Sequence, residues 1–405
     1  MCYALLLTLL VFCGNPIVAA EHTRLADHRN LIFDRLGTQA GLSQAAVSAI
    51  AQDQDGFIWV GSQEGLNRFD GYHFETYYHQ PADPASLSHD SIWDILSDTQ
   101  GNLWIGTDAG LNRYNETSNE FESVALDPPL GTESGEDRGA IHVLFEDSAG
   151  RIWIGTSTGL VSMGTERQMV HYHHDPLDPK SLSAGSVRAI FEDSFGKIWV
   201  GTELGGLNRF DEVKQNFAHY RSDPDDPASI SDNYIRAIIE VEPGQLWMAT
   251  FNGGVSIFDT QTGTAERLPI SEFKRARSLL KDQDGDVWVG TDSGLHLWNK
   301  KLRRFGRYVT DPTDMHSISD NTVFELFQDR GGVIWVGTFN GISKWNARTE
   351  TFPHFLKSAS RDIDLSSNAI TSFAESPQGD IWIGTFEGLN KWDKQTQQFM
   401  NFSHL

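Results

Sequence analysis

The chain is predicted to fold as an all-β propeller of four-stranded antiparallel blades, built from eight repeat units. Three observations lead there. A phrase of acid, Gly, aliphatic, Trp, aliphatic or Met, Gly or Ala, and Thr or Ser returns eight times in 405 residues, with its Trp at Trp59, Trp104, Trp153, Trp199, Trp247, Trp288, Trp335 and Trp382. The spacings are 45, 49, 46, 48, 41, 47 and 47 residues, so one supersecondary unit is copied in series. Each unit also holds four short strand-like stretches, and Leu31-Ile32-Phe33-Asp34-Arg35-Leu36 reads as an outer strand without a blade.

The fourth unit shows the strands in order. Val187 to Phe191 is an apolar opening strand, and Glu192 to Gly196 is a polar cluster ending in Gly, as a hairpin turn requires. Ile198-Trp199-Val200 is rich in strand formers, Gly201 to Gly206 breaks it, and Leu207 to Phe210 resumes. Phe217 to Tyr220 completes the unit as a short outer strand. A helical solenoid would need a period of 3.6, which the region after the leader lacks.

The orphan strand Leu31 to Leu36 would complete the last blade and remove the edges that invite aggregation. With seven blades it joins the strands around Trp335, residues 31–350 form the first ring, and the unit around Trp382 begins a second within 351–405. One eight-bladed ring is the alternative.

Residues 1–20 read as a signal peptide, with an apolar run from Ala4 to Phe12 and small residues Val18-Ala19-Ala20 before Glu21; an uncleaved anchor is the competing reading. Residues 21–405 are then an exported, periplasmic domain. Both cysteines, Cys2 and Cys13, lie in the leader, so the remainder is expected to hold no disulfide or thiolate chemistry. A formal net charge of −23 repels phosphate backbones and anionic headgroups, which argues against nucleic acid and membrane contact by the mature region.

The phrases from Asp53 to Gly71 and from Gly101 to Tyr114, with the linker Asp83-Pro84-Ala85-Ser86-Leu87-Ser88 and its echo at Asp226 to Ser231, resemble the two-component regulator propeller repeat. The resemblance covers nearly all of residues 21–405. It implies a periplasmic propeller that senses an extracellular small molecule or oligosaccharide, commonly one of two rings. In that family a further β domain, a membrane helix and a histidine kinase or diguanylate cyclase follow. The sequence stops at Leu405, so a truncated sensor is the expectation, with any homodimer formed through a downstream region. No catalytic residue, metal or cofactor is expected.

Particular residues carry competing chemical readings. Asp53 and its equivalents resemble an Asp-box but read as hairpin caps. Asp282-Gln283-Asp284-Gly285-Asp286 is spaced like part of a calcium loop without its distal Glu. His173-His174 could serve as the base of a lyase-type propeller enzyme, or lie as surface residues at an outer-strand end. The Trp residues, needed in every unit, read as inter-blade core, and the Gly that follows most of them, such as Gly61 and Gly106, as a site of close packing.

Function should sit where the copies differ. Eight residues before each turn glycine stand Ser48, Trp93, His142, Arg188, Arg236, Arg277, Phe324 and Thr371. In a ring these converge, so Arg188, Arg236 and Arg277 are expected as an arc at the channel mouth, beside His142 and opposite Trp93 and Phe324. Guanidinium groups hold carboxylates or sulfates, and aromatic faces stack on sugars, so an acidic or sulfated oligosaccharide is the expected ligand. Alternatively each Arg pairs with a local carboxylate such as Asp232. A scaffold binding protein through this face is a further reading.

Overall fold

The computed structural model describes residues 31–126, 139–268, 275–299, 304–346, 365–377, 379–393 and 398–402. The expected leader and the segment 347–364 therefore lie outside the described residues. Described elements are strands, apart from one 3-10 turn at Thr38–Ala40, and they form eight four-stranded antiparallel sheets.

Blade 1 runs from axis to rim as Val47–Gln52, Ile58–Ser62, Gly65–Phe69 and Phe74–Tyr77. Blades 2 to 7 open with Ile92–Ser97, Ile141–Glu146, Val187–Glu192, Ile235–Glu242, Ala276–Lys281 and Val323–Gln328, and an eighth sheet opens with Ile370–Glu375. Blade 7 takes its fourth strand from the start of the chain: Asp34–Leu36 pairs with Gly341–Trp345.

That borrowed strand makes the contacts of a native outer strand. The Phe33 N–H donates to the His316 carbonyl at 2.9 Å, as Phe217 does to Lys180 and Ala265 to Ala228. Arg35 donates to the Ser317 and Asp314 carbonyls at 2.8 and 3.1 Å, as Arg267 in blade 5 does to those of Ser229 and Asp226 at 2.9 and 2.8 Å. Blade 7 also meets blade 1 directly, through the Arg330 N–H on Gln52 Oε1 at 2.9 Å and Trp335 against Phe69 at 6.1 Å. Seven blades close the ring.

Each repeat Trp is held at two ends. In six blades the turn Asp accepts backbone N–H groups on Oδ1, while Oδ2 accepts the indole N–H at 2.6–2.9 Å, from Asp53–Trp59 to Asp329–Trp335. This is the hairpin cap read from the Asp-box-like phrase, and it occupies Asp282 of the calcium-like loop, which takes Asp284 N, Asp286 N and Trp288 Nε1. Blade 5 has Val241 there instead, and Trp247 reaches Gln245 Oε1 at 3.4 Å. The indole ring then packs on the third strand of the next blade: Trp153 on Phe210, Trp199 on Phe258, Trp288 on Trp345. All seven ring Trp residues are buried. Trp382 is only half-buried, in a sheet whose first strand is exposed throughout.

The glycine two residues after the Trp marks where blades touch. A Cβ built on Gly61 would stand 2.7 Å from Ile92 Cγ2, on Gly106 2.8 Å from Ile141 Cγ2, on Gly201 2.7 Å from Ile235 Cγ2, and on Gly337 2.8 Å from Val47 Cγ1. Blade 5 carries Ala249 at that place, and the facing residue of blade 6 is correspondingly small, Ala276.

Two outcomes follow. Trp199→Ala should lower stability by about 3–5 kcal/mol in denaturant unfolding, since it empties an inter-blade core site. Gly201→Ala should cost about 1–3 kcal/mol through overpacking. In a Gly201→Ala, Ile235→Ala double mutant, which copies the Ala249–Ala276 pair, the two costs should be less than additive; additive costs would show that the residues do not compete for one space.

Candidate functional site

The first strand of every sheet carries a register shift, and it falls at the position found by counting from the turn glycine. The unpaired residues are Ser48, Trp93, His142, Arg188, Arg236, Arg277, Phe324 and, in the eighth sheet, Thr371. A bulge frees a side chain from the alternation of the strand and re-aims it. In the ring, all seven of these residues line one cavity of about 470 Å³ on the axis, within the usual size range of small-molecule sites. Thr371 belongs to the eighth sheet and is not among the lining residues.

The bulge side chain meets the residue fifteen positions later, in the turn after the second strand. Arg188 donates to Glu203 from Nε and Nη2 at 3.2 and 3.0 Å, Arg277 pairs with Asp292, and Trp93 Nε1 donates to Asp108 at 2.5 Å. Local carboxylate pairing thus holds for two arginines, though not through Asp232, which accepts the backbone N–H groups of Tyr234 and Asn252.

Blade 5 is different. Its residue at the fifteenth position is Phe251, stacked on Tyr234 at 5.0 Å, so Arg236 finds no acid there. Arg236 donates to Tyr234 Oη at 3.3 Å and lies 5.6 Å over that ring, with no carboxylate ion pair among the described residues. Burial and the neighbouring charges of Arg277 and Arg188 push its pKa down from the usual guanidinium value, despite Tyr234 and Asp292 acting the other way. A desolvated cation with no counter-ion is a costly feature.

The aromatic residues are not opposite the arc, as the ring order alone implied. The Arg188 guanidinium lies 5.3 Å over the Trp93 ring and that of Arg277 4.9 Å over Phe324, so these faces are already covered by cations. Cation–π attraction draws them together. His142 sits edge-on to Trp93 at 5.2 Å; burial, then the Arg188 charge, hold its pKa down to about 4, so it is neutral at pH 7.

Two lining residues escaped the sequence reading: Asp94 and Glu325, each directly after its bulge. Asp94 accepts from Ile95 N at 2.8 Å and from Leu144 N of blade 3 at 2.7 Å. Both are half-buried and line the cavity. Burial raises the Asp94 pKa to about 7, and burial plus the Asp94 charge raise that of Glu325 to about 8, against the smaller pull of Arg236. The signal was present in the repeat: the same column reads Ala49, Val143, Ala189, Ala237 and Ser278 in the other blades.

The His173-His174 pair does not reach this cavity. His174 Nδ1 contacts the Leu182 carbonyl at 2.7 Å, as His79 Nδ1 contacts Leu87 at 2.5 Å, which makes it a loop fastening.

Fold and cavity together define a seven-bladed propeller with a small-molecule-sized site on its axis. The family description "two component regulator propeller" matches residues 41–64, 86–109, 135–158, 181–203, 272–293, 317–340 and 364–387, so the chain carries seven matched copies of the two-component regulator propeller repeat. The matched spans pass over the repeat of blade 5. Over 61 residues the chain is 43% identical to histidine kinase P4 of Formosa agariphila, a stretch that is 15% of this chain and 4% of that one. The extracellular domain of BT4673 from B. thetaiotaomicron, described as part of a hybrid two-component system, superposes over 92% of this chain with a TM-score of 0.64 at 21% identity. The chain spans 54% of the length of that structure. Virginiamycin B lyase of Staphylococcus aureus shares the fold at 12% identity, with a TM-score of 0.56 over 77% of this chain and 98% of the lyase. No described helix is long and apolar enough to cross a membrane.

The buried acids predict a pH dependence. Asp94 and Glu325 release their protons near 3.8 and 4.5 in an unfolded chain but hold them to about 7 and about 8 when folded. The folded state binds more protons in between, so stability is greatest below that window and is lost as pH rises through it. Thermal melting followed between about pH 5 and pH 8.5 should fall with pH, and Asp94→Asn with Glu325→Gln should flatten the fall.

Proposed function

We propose that the chain is the ligand-binding part of a periplasmic sensor, non-enzymatic, with residues 31–350 as the sensing ring and 351–405 as the start of a second. Its ligand is an anionic small molecule, with an acidic or sulfated oligosaccharide as the preferred class. The observation that carries this is Arg236, a guanidinium lining the cavity with no carboxylate ion pair among the described residues. Arg188 and Arg277 already hold Glu203 and Asp292, so they add a positive field more than free donors. A planar guanidinium offers two parallel N–H groups to a carboxylate or sulfate, and the half-buried site strengthens that bond. The Tyr234 hydroxyl beside it can orient the same group.

The family resemblance supports the sensing role, and the propeller lyases share only the fold. Their chemistry would need a general base in the cavity. His142 is neutral there, but it is packed edge-on against Trp93.

Calorimetry on uronate, sulfated and neutral oligosaccharides tests the reading. Arg236→Ala should weaken acidic-glycan binding by about 1.5–3 kcal/mol, the range for hydrogen bonds to charged groups, and Arg188→Ala should cost less. Binding should weaken with salt, since partly exposed charges are screened over about 8–10 Å. Arg236→Met should raise the melting temperature of the unliganded protein, because it removes a buried unpaired charge. Equal affinity for neutral and acidic glycans, or normal binding by Arg236→Ala, would reject the anion site.

A further inference from the structure

The anion site uses one side of the cavity, and the other side is acidic. Asp94 in blade 2 and Glu325 in blade 7 line the cavity on either side of blade 1, whose first strand adds only Val47 and Ser48 to the wall, while Ala49, in the column of the two acids, is packed in the core. The Ser48 hydroxyl donates to the Ile92 carbonyl at 2.5 Å and so is turned onto the wall of blade 2. Small side chains on blade 1 therefore leave a recess with a carboxyl group at each side. Arg188, Arg236 and Arg277 line the same cavity, with Arg188 and Arg277 over the rings of Trp93 and Phe324.

These acids are not needed to build the ring. The other five blades fill the same column with Ala, Val or Ser, and do so within the same strand register. Nor are they neutralised: no Lys lines the cavity, the pair has no ion-pair partner among the described residues, and Arg236 acts on Glu325 only as a weaker, opposing influence. Each carboxyl is fixed by backbone N–H groups, Asp94 by Ile95 and Leu144, Glu325 by Leu326. Two desolvated carboxyl groups that feel each other's charge lower stability, and such features collect at binding sites.

We propose that the recess between Asp94 and Glu325 is a second subsite, which takes a protonated amine of the same ligand whose anionic group sits on Arg236. The cavity then selects an amphoteric saccharide, with an acid group and a free amino group, over a simple acidic one. This rests on the anion reading of Arg236. An ammonium brings three N–H donors and one positive charge to two carboxyl groups that otherwise repel each other. N-acetylation removes the charge and adds bulk. The other charged and titratable groups that line the cavity are His142, Arg188, Tyr234, Arg236 and Arg277. His142 stays neutral at neutral pH, so proton exchange on binding belongs to the carboxyl pair and the amine.

The test is calorimetry with a uronic acid–glucosamine disaccharide, in its free-amine and N-acetylated forms, in two buffers of different ionisation enthalpy. Wild type, Asp94→Asn, Glu325→Gln and Arg236→Ala are compared, with melting temperatures confirming that each folds. The wild type should bind the free amine about tenfold or more tightly, a margin expected for charge-assisted hydrogen bonds, and should release protons to the buffer at neutral pH. Glu325→Gln and Asp94→Asn should lose that preference and the proton release while keeping the affinity for the N-acetylated form. Arg236→Ala should weaken both forms alike. Equal affinity for the two forms, with dependence on Arg236 intact, overturns the acidic subsite and leaves the anion site standing. A free-amine preference that survives in Arg236→Ala at unchanged affinity overturns the anion site instead. Failure of either sugar to bind the wild type rejects both.

Discussion

The contact on which the ring depends is the one between the second strand of a blade and the first strand of the next, at the glycine after each Trp. The backbone at Gly61 or Gly201 approaches the branched side chain of Ile92 or Ile235 so closely that a methyl group there would collide. This approach brings the indole of the same strand onto the third strand of its neighbour and sets the seven first strands around a narrow axis. Blade 5 shows that the constraint is one of combined volume. Ala249 replaces the glycine, Ala276 replaces the branched residue, and the interface persists with Val255, Val287 and Val289 in one core. Close-packed interiors respond to single methyl groups, so such paired exchanges conserve the spacing where single ones would not.

From that spacing the site follows. Seven first strands converge, and each is broken at the same place by a bulge, whose unpaired residue is free of packing duty. The ladder on either side satisfies the backbone, so Ser, Trp, His, Arg and Phe are all tolerated at the bulge. Uniform scaffold and variable lining thus come from adjacent residues of one strand: Val187 is core, while Arg188 and the buried Ala189 after it line the cavity.

Much of this was legible in the sequence, because packing enforces repetition. Trp at a regular interval, Gly two residues on, and the spare strand at Leu31 to Leu36 each left a mark that copying made visible. Counting back from the turn glycine found the axial residues for the same reason. The bulge itself was not legible, since it is a shift in hydrogen-bond register with no residue type of its own. That shift turns Arg188 and Arg277 onto Trp93 and Phe324 instead of facing them across the channel. Asp94 and Glu325 were hidden among apolar strand residues, and only the comparison of their column across blades exposes them as acids where the fold needs none.

Blade 5 concentrates the departures from the repeat: Val241 for the turn Asp, Ala249 for the glycine, and Phe251 where blades 2, 4 and 6 have an acid facing the bulge residue. The first two are structural and compensated, by Gln245 on the Trp247 indole and by Ala276. The third is not compensated within the blade, and it leaves Arg236 with no carboxylate ion pair among the described residues. Phe251 also stacks on Tyr234 and so covers one side of the guanidinium environment with apolar surface. Less water around a charge means a lower effective dielectric, which raises both the cost of the empty site and the strength of whatever anion fills it. Phe251 at the fifteenth position therefore has two effects at once: it offers Arg236 no counter-ion where Glu203 and Asp292 serve Arg188 and Arg277, and it sharpens the field that an incoming anion would feel.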